Sequence, residues 1–265
     1  MGFGPVTEHG RLLNLSVYGK NNLDGMIIPV CTLDASLLTE LTRYSIPEKD
    51  IFEMRRRVLS GESEESIFKF VEKTYSENLR KSYGPLIGFA SDIGDLVSRY
   101  SKTASSESLI DYDGTFRREF SEGPIGFVSA SSKPLESYMT KLKNRYENRE
   151  LNPIRDILRI RVVVNGNSEE PDDVEMCYSI FDDIDREYRG KVHTVKDRFR
   201  NPVLKTDPSG NLKPDLYKTI HLYVSNFEIQ IRTMDIEDKC NNPDSVLYHP
   251  HYKRCKFGFY DDEFN

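Results

Sequence analysis

No stretch of this 265-residue chain is apolar over the length a membrane span needs, about 20 consecutive residues for a helix. No membrane partner is therefore expected. The N-terminal MGFGPVTEHG has neither a basic n-region nor an apolar h-region, so no secretory signal is expected either. Gly2 does not open a myristoylation motif, because Val6 stands where Ser or Thr is wanted. The four cysteines, Cys31, Cys177, Cys240 and Cys255, include no CxxC pair. They are too sparse for a disulfide framework and suit a reducing, cytoplasmic setting. A basic excess is missing too: the net charge of -6 argues against a general nucleic-acid coat protein. There is no internal repeat and no low-complexity tract.

What is present is a globular composition, 37% apolar and 30% charged, with enough chain for one large domain or two small ones. In the first forty residues LLNLSVYG and GMIIPVCTL are short strand candidates. From Pro47 the pattern is helical: PEKDIFEMRRRVLSG ends at Gly61, and ESIFKFVEKTY spaces Ile67, Phe70, Val71 and Tyr75 as a helix does. A separate helix is expected in GPLIGFASDIGDLVSRY, with Leu86, Ala90, Ile93, Val97 and Tyr100 on one stripe. SKTASSESLIDYDGT, residues 101–115, is the candidate linker or mobile loop. KPLESYMTKLKNRYENRE is then a helix with Leu135, Met139, Leu142 and Tyr146 inward, and ILRIRVVV a β-branched strand. Ser168, Glu169 and Glu170 open a helix carrying Val174, Cys177, Ile180, Phe181, Ile184 and Tyr188, and KVHTV, YKTIHLYV and FEIQIRT are further strands. The expected class is α+β: a mixed sheet of about five strands with helices packed on it and a mainly helical N-terminal region.

FEIQIRT alternates Phe227, Ile229 and Ile231 with Glu228, Gln230 and Arg232. Only Ser225-Asn226 separates it from YKTIHLYV, so the two should form an antiparallel hairpin. A two-residue turn sets Val224, Leu222 and Ile220 against Phe227, Ile229 and Ile231 as an apolar face. The other face pairs Tyr223 with Glu228, His221 with Gln230 and Thr219 with Arg232, with Tyr217 one step further. Antiparallel sheets often turn one side to water, but such sides carry Lys, Thr and Ser more than His, Gln and Tyr. The pattern points to a site.

Residues 190–220 carry a local charge of +4, leaving -10 for the rest. Lys191, Lys196, Arg198, Arg200, Lys205, Lys213 and Lys218 lead straight into the polar strand face. Several donors neutralising several oxygens is what a polyphosphate needs, although a solvated charged loop has the same composition. Glu228, with Asp156 at the mouth of ILRIRVVV, could then hold a magnesium ion.

These pieces, in this order, resemble the synthetase domain of the RelA/SpoT family. KPLESYMTKL is similar to the family's basic helix through Lys133, Ser137 and Lys141; DILRIR supplies Asp156 and Arg161; KDRFRNP supplies Lys196 and Asp197. KPDLYKTIH and EIQIRT supply Lys213, Tyr217, His221, Glu228, Gln230 and Arg232. The resemblance covers residues 130 to 255 and implies a nucleotidyltransferase-like domain, set at residues 86–265 behind an N-terminal region, 1–85, of unmatched role. It implies transfer of pyrophosphate from ATP to the ribose 3′-hydroxyl of GDP or GTP, with Mg2+ as cofactor. Asp156 would hold magnesium on ATP. Glu228 would activate the hydroxyl as base or as second metal ligand. Tyr217 would stack on the acceptor base, and Lys133 and Lys141 would serve the ATP side. The remaining basic and polar residues of the four motifs would contact phosphates or hydroxyls.

The chain departs from the family at four places. Ser131 stands where an arginine usually covers the adenine, Arg159 where the residue is small, and Asp215-Leu216 where Asn-Gly is usual, and VLKTDPSGNL is inserted before Lys213. No hydrolase or regulatory domain of the long family members is in sight. Two alternatives stay open: a toxic member acting on tRNA 3′ ends or adenosine nucleotides, and a non-catalytic nucleotide-binding module, against which the two carboxylates argue. A homo-oligomer or an antitoxin-like partner is compatible with either enzyme. Cys240, His249, His251 and Cys255 lie close in sequence, but structural zinc sites usually begin with closely paired cysteines, so no zinc is expected.

Overall fold

The computed structural model describes residues 33–103, 109–110, 116–206, 212–214, 216–245 and 247. The strand candidates before Leu33, and His249, His251 and Cys255, lie outside them, as do the side chain of Lys213 and all of Asp215.

Three helices come first. α1 (Ala35–Thr42) is capped by Asp34, whose Oδ1 accepts from the amides of Ser36 at 2.9 Å and Leu37 at 3.0 Å. α2 (Glu48–Leu59) follows Pro47, with Glu48 and Asp50 in its first turn and Arg56 and Arg57 in its last, each sign on the helix end that favours it. α3 (Glu64–Val97) corrects the expectation of two helices, because one helix of 34 residues runs through Pro85. An interior proline costs about 3 kcal/mol. Buried Ile67, Val71 and Tyr75 before it and Leu86, Ala90 and Ile93 after it hold both halves to the same core, which outweighs that cost. Residue 85, the expected domain boundary, therefore lies inside a helix.

The sheet is mixed, in the order β1 (Lys102–Thr103), β3 (Phe116–Glu122), β4 (Ile125–Ser132), β5 (Leu158–Val164), β10 (Phe227–Thr233), β9 (Ile220–Val224), β6 (Val192–Asp197), with β2 (Leu109–Ile110) also on β3. Six strands are long, and β1 and β2 are two-residue pieces. Residues 102–103 and 109–110, expected in a linker, are thus sheet-edge residues paired with β3. Among the described strands only β5 and β10 run parallel. A separate two-stranded ribbon pairs β7 (Leu204–Thr206), inside the inserted segment, with β8 (Leu212–Pro214), which begins at its last residue.

The register gives the sheet two faces of opposite character. One row runs Phe116, Ala130, Ile160, Ile229, Leu222, Val195 across the long strands. Against this face lie α3 and α5 (Pro171–Glu187), with Phe89 of α3 4.7 Å from the Phe227 ring and 5.1 Å from Tyr188. α5 begins at Pro171, after the Ser168-Glu169-Glu170 expected to open it, and buries Cys177, Ile180 and Ile184. α4 (Leu135–Glu147) packs on α1 and α3, its Tyr138 stacked on Tyr75 at 3.8 Å and hydrogen-bonded to Ser45 at 2.6 Å. α6 (Met234–Asn241) follows β10 directly and packs on β10 and β5.

Candidate active site

The opposite face carries the polar rows. The hairpin has the expected register: Glu228 faces Tyr223 and Gln230 faces His221. Because β10 also pairs with β5, the rows continue past the hairpin. One runs Arg117, Ser129, Arg161, Gln230, His221, Lys196; the next runs Ser131, Arg159, Glu228, Tyr223, Thr194. This is no water-facing side, since Glu228, Gln230, Arg232, His221 and Tyr223 are all buried.

Glu228, 3% exposed, is held from three directions. His221 Nδ1 is 2.9 Å and the Tyr223 hydroxyl 3.0 Å from Oε1, and Gln230 Nε2 is 3.1 Å from Oε2. Burial works to raise the pKa of this carboxyl, but the hydrogen bond from His221 holds it below its ordinary value. Burial likewise pushes His221 down, against the pull of Glu228. With a carboxylate as its partner, Nδ1 carries the proton of the neutral ring, and Nε2 is left buried without a partner.

Asp156 stands in the turn before β5. Its Oδ2 accepts from Lys133 Nζ at 2.8 Å and its Oδ1 from Lys141 Nζ at 2.8 Å. Burial works to raise its pKa, yet the two ammonium groups hold it well below the carboxylate range. Lys133 is itself pushed down to about 8, by burial first, with Asp156 opposing. Its place is set by the backbone, because its amide donates to Ile157 at 2.7 Å and its carbonyl accepts the Tyr75 hydroxyl at 2.7 Å.

At the other end, Arg232 pairs with Glu237 of α6 and donates to the Tyr217 hydroxyl at 3.3 Å. Arg161 lies 4.0 Å from the same glutamate. Tyr217 meets His221 edge-on at 5.9 Å, and the Arg198 guanidinium is 5.5 Å from its ring.

These groups surround one cavity of about 630 Å³. Of the expected site residues, Lys141, Asp156, Arg161, Lys196, Tyr217, His221, Glu228, Gln230 and Arg232 line it. Lys133 reaches it through Asp156, and Ser137 sits half-buried on α4 outside the lining. Asp197 instead organises the turn after β6, accepting from the amides of Phe199 and Arg200 and from Tyr178. Lys218 pairs with Glu169 at 2.7 Å. Sequence reasoning left out Arg145, Arg155 and Arg159, which also line the cavity, and Glu237, which balances its arginines. Arg159 shares the alternation of Arg161 on β5, and that was the available signal.

Among the described residues no three His, Cys, Asp or Glu cluster as a ready metal cage. The donor chemistry nevertheless fits magnesium, which commonly takes one or two carboxylates and completes its shell with water and phosphate oxygens. Among the described residues, Asp156 and Glu228 are the two carboxylates lining the cavity.

Residues 131–254 match the model of the region found in RelA / SpoT proteins. All four motifs of the sequence analysis lie within that matched region. Among solved structures the chain is similar to the small alarmone synthetase 1 from Bacillus subtilis bound to its product pppGpp. The identity is 19%, over 69% of this chain and 80% of that one, with a TM-score of 0.36. No curated protein matches the chain.

Proposed function

We propose that this protein is a pyrophosphokinase that moves the β,γ-pyrophosphoryl group of ATP onto the ribose 3′-hydroxyl of GDP or GTP. The observation that carries this reading is the pairing, in one cationic cavity of a RelA/SpoT-type domain, of two carboxylates in different settings. Asp156 is clamped by two lysines, and Glu228 is clamped by neutral or weakly basic groups. Transfer requires the 3′-oxygen to bond to the β-phosphorus as the bond from that phosphorus to the bridging oxygen breaks, and AMP leaves with the oxygen. Little covalent chemistry falls to the protein; it aligns the three centres and neutralises charge.

Glu228 Oε2 accepts one hydrogen bond, from Gln230, and keeps capacity for the 3′-hydroxyl proton. Lys141, Arg159 and Asp156 form the donor side, where the phosphates of ATP meet the lysine pair. Tyr217, His221, Lys196 and Arg232 form the acceptor side. Asp156 and Glu228 are the residues that would hold Mg2+, which when bound supplies further neutralisation of the phosphate oxygens.

The test is incubation with β,γ-labelled ATP and magnesium, offering GDP, GTP, AMP, ADP, ATP and deacylated tRNA separately. Label on a guanosine nucleotide, lost in Glu228→Gln, is the expected result. Label on tRNA or an adenosine nucleotide would keep the chemistry and move the acceptor, and no transfer to any of them would overturn the proposal.

A further inference from the structure

Arg159 lines the cavity with its pairing incomplete, as is that of Arg161 and of Arg232. Its Nε is buried and has no hydrogen-bond partner. Among the described residues its side chain forms no ion pair, whereas Lys133 and Lys141 hold Asp156, and Arg161 and Arg232 face Glu237. A guanidinium with an unsatisfied buried N–H is costly unless something else completes it.

Its surroundings say what that is. Arg159 faces Glu228 on β10 in parallel register and Ser131 on β4 in antiparallel register, and lies three residues after Asp156. Adjacent strands are about 4.8 Å apart, and Arg159 lines the same cavity as Asp156 and Glu228, the two carboxylates of the proposed reaction. Glu228 does not need it, since three other donors already hold that carboxylate. Ser131 is small, so on the β4 side no long side chain competes for the space before Arg159. The two departures at 131 and 159 thus fall on directly opposed positions, with the cation on β5 and the small residue on β4.

We propose that Arg159, a residue at which this chain departs from the resemblance, binds the polyphosphate of the donor nucleotide through its guanidinium fork. Its planar fork presents two parallel N–H donors to phosphate oxygens, a geometry that lysine cannot copy. The inference rests on the pyrophosphokinase reading, but its test reads binding without turnover.

Inorganic tripolyphosphate and AMP, each with magnesium, would be titrated calorimetrically into the full chain, its Arg159→Gln and its Arg159→Lys variants, with thermal melts to verify folding. Expected are a loss of tripolyphosphate affinity of tenfold or more in Arg159→Gln, a partial loss in Arg159→Lys, and AMP affinity changed far less in both. Folded Arg159→Gln that binds tripolyphosphate as the parent does would overturn the inference and leave the pyrophosphokinase reading standing. A parent protein that binds no tripolyphosphate would overturn both. Should Arg159→Gln fail to fold, the lysine variant decides: parent-like affinity there removes the role of the fork.

Discussion

His221 Nδ1 and Glu228 Oε1 lie 2.9 Å apart across the β9–β10 hairpin, with both side chains buried. The hydrogen bond lowers the pKa of Glu228 where burial works to raise it. Glu228→Gln keeps the shape of the side chain and removes the charge. Transfer activity should fall by about 10²–10⁴-fold, the usual worth of a positioned acid–base group, while the far-ultraviolet dichroism stays that of the parent. A variant that retains a tenth of parental activity would remove Glu228 from the chemistry.

The apolar half of this hairpin was legible because its period of two admits one register, and a one-residue slip would turn Ile229 and Ile231 outward. The helices over it were legible for the same reason, from spacing. Four things were not. β3 and β4 read poorly because FRREFSE is charged and IGFVSASS is rich in small residues; neighbours on both sides bury most of β4, not its own propensity. Pro85 signalled a break that the shared core overrode. The clamping of Asp156 by Lys133 and Lys141 joins a strand end, a helix and a turn, and spacing alone does not bring these together. Glu237 escaped because a strand-to-helix junction folds it back onto Arg232.

Buried Lys133 pairs with partly buried Asp156, and the two can be separated by mutation. Asp156→Asn leaves Lys133, 6% exposed, without its anion. Breaking such a pair costs about 3–5 kcal/mol. The denaturation midpoint should fall accordingly, and transfer should be lost. Adding Lys133→Met to Asp156→Asn should recover much of the stability and none of the activity. Equal stability of single and double variants in urea would mean that the pair does not act as a unit.

Ser225, first of the two turn residues, has φ of +52°. A residue with a Cβ pays in strain there, about 1–2 kcal/mol relative to the right-handed region, and glycine is free of it. Ser225→Gly should raise unfolding free energy by roughly 0.5–1 kcal/mol, part of the relief being offset by a more flexible unfolded chain. Activity should be unchanged, because Ser225 does not line the main cavity. A lowered melting temperature in this variant would count against the turn geometry.

Cys177, fully buried on α5, has its thiol pushed up to about 12, by burial first and then by the charges of Asp173 and Asp235. The sign follows from which state holds the proton. The folded chain keeps it while the unfolded thiol, near 9, gives it up, so this stabilisation is complete below pH 9 and is lost as pH rises toward 12. Between those limits the loss approaches about 1.4 kcal/mol per pH unit. Tyr75 and Tyr138, raised by burial as well, add a similar loss above pH 10. Only the difference between parent and Cys177→Ala isolates the thiol. Urea midpoints from pH 8 to 10.5 should fall more steeply for the parent than for the variant, the two curves converging as the parent loses its advantage. Parallel curves would place the alkaline sensitivity in the other buried groups, Tyr75, Tyr138 and Cys240 among them, and not in this thiol.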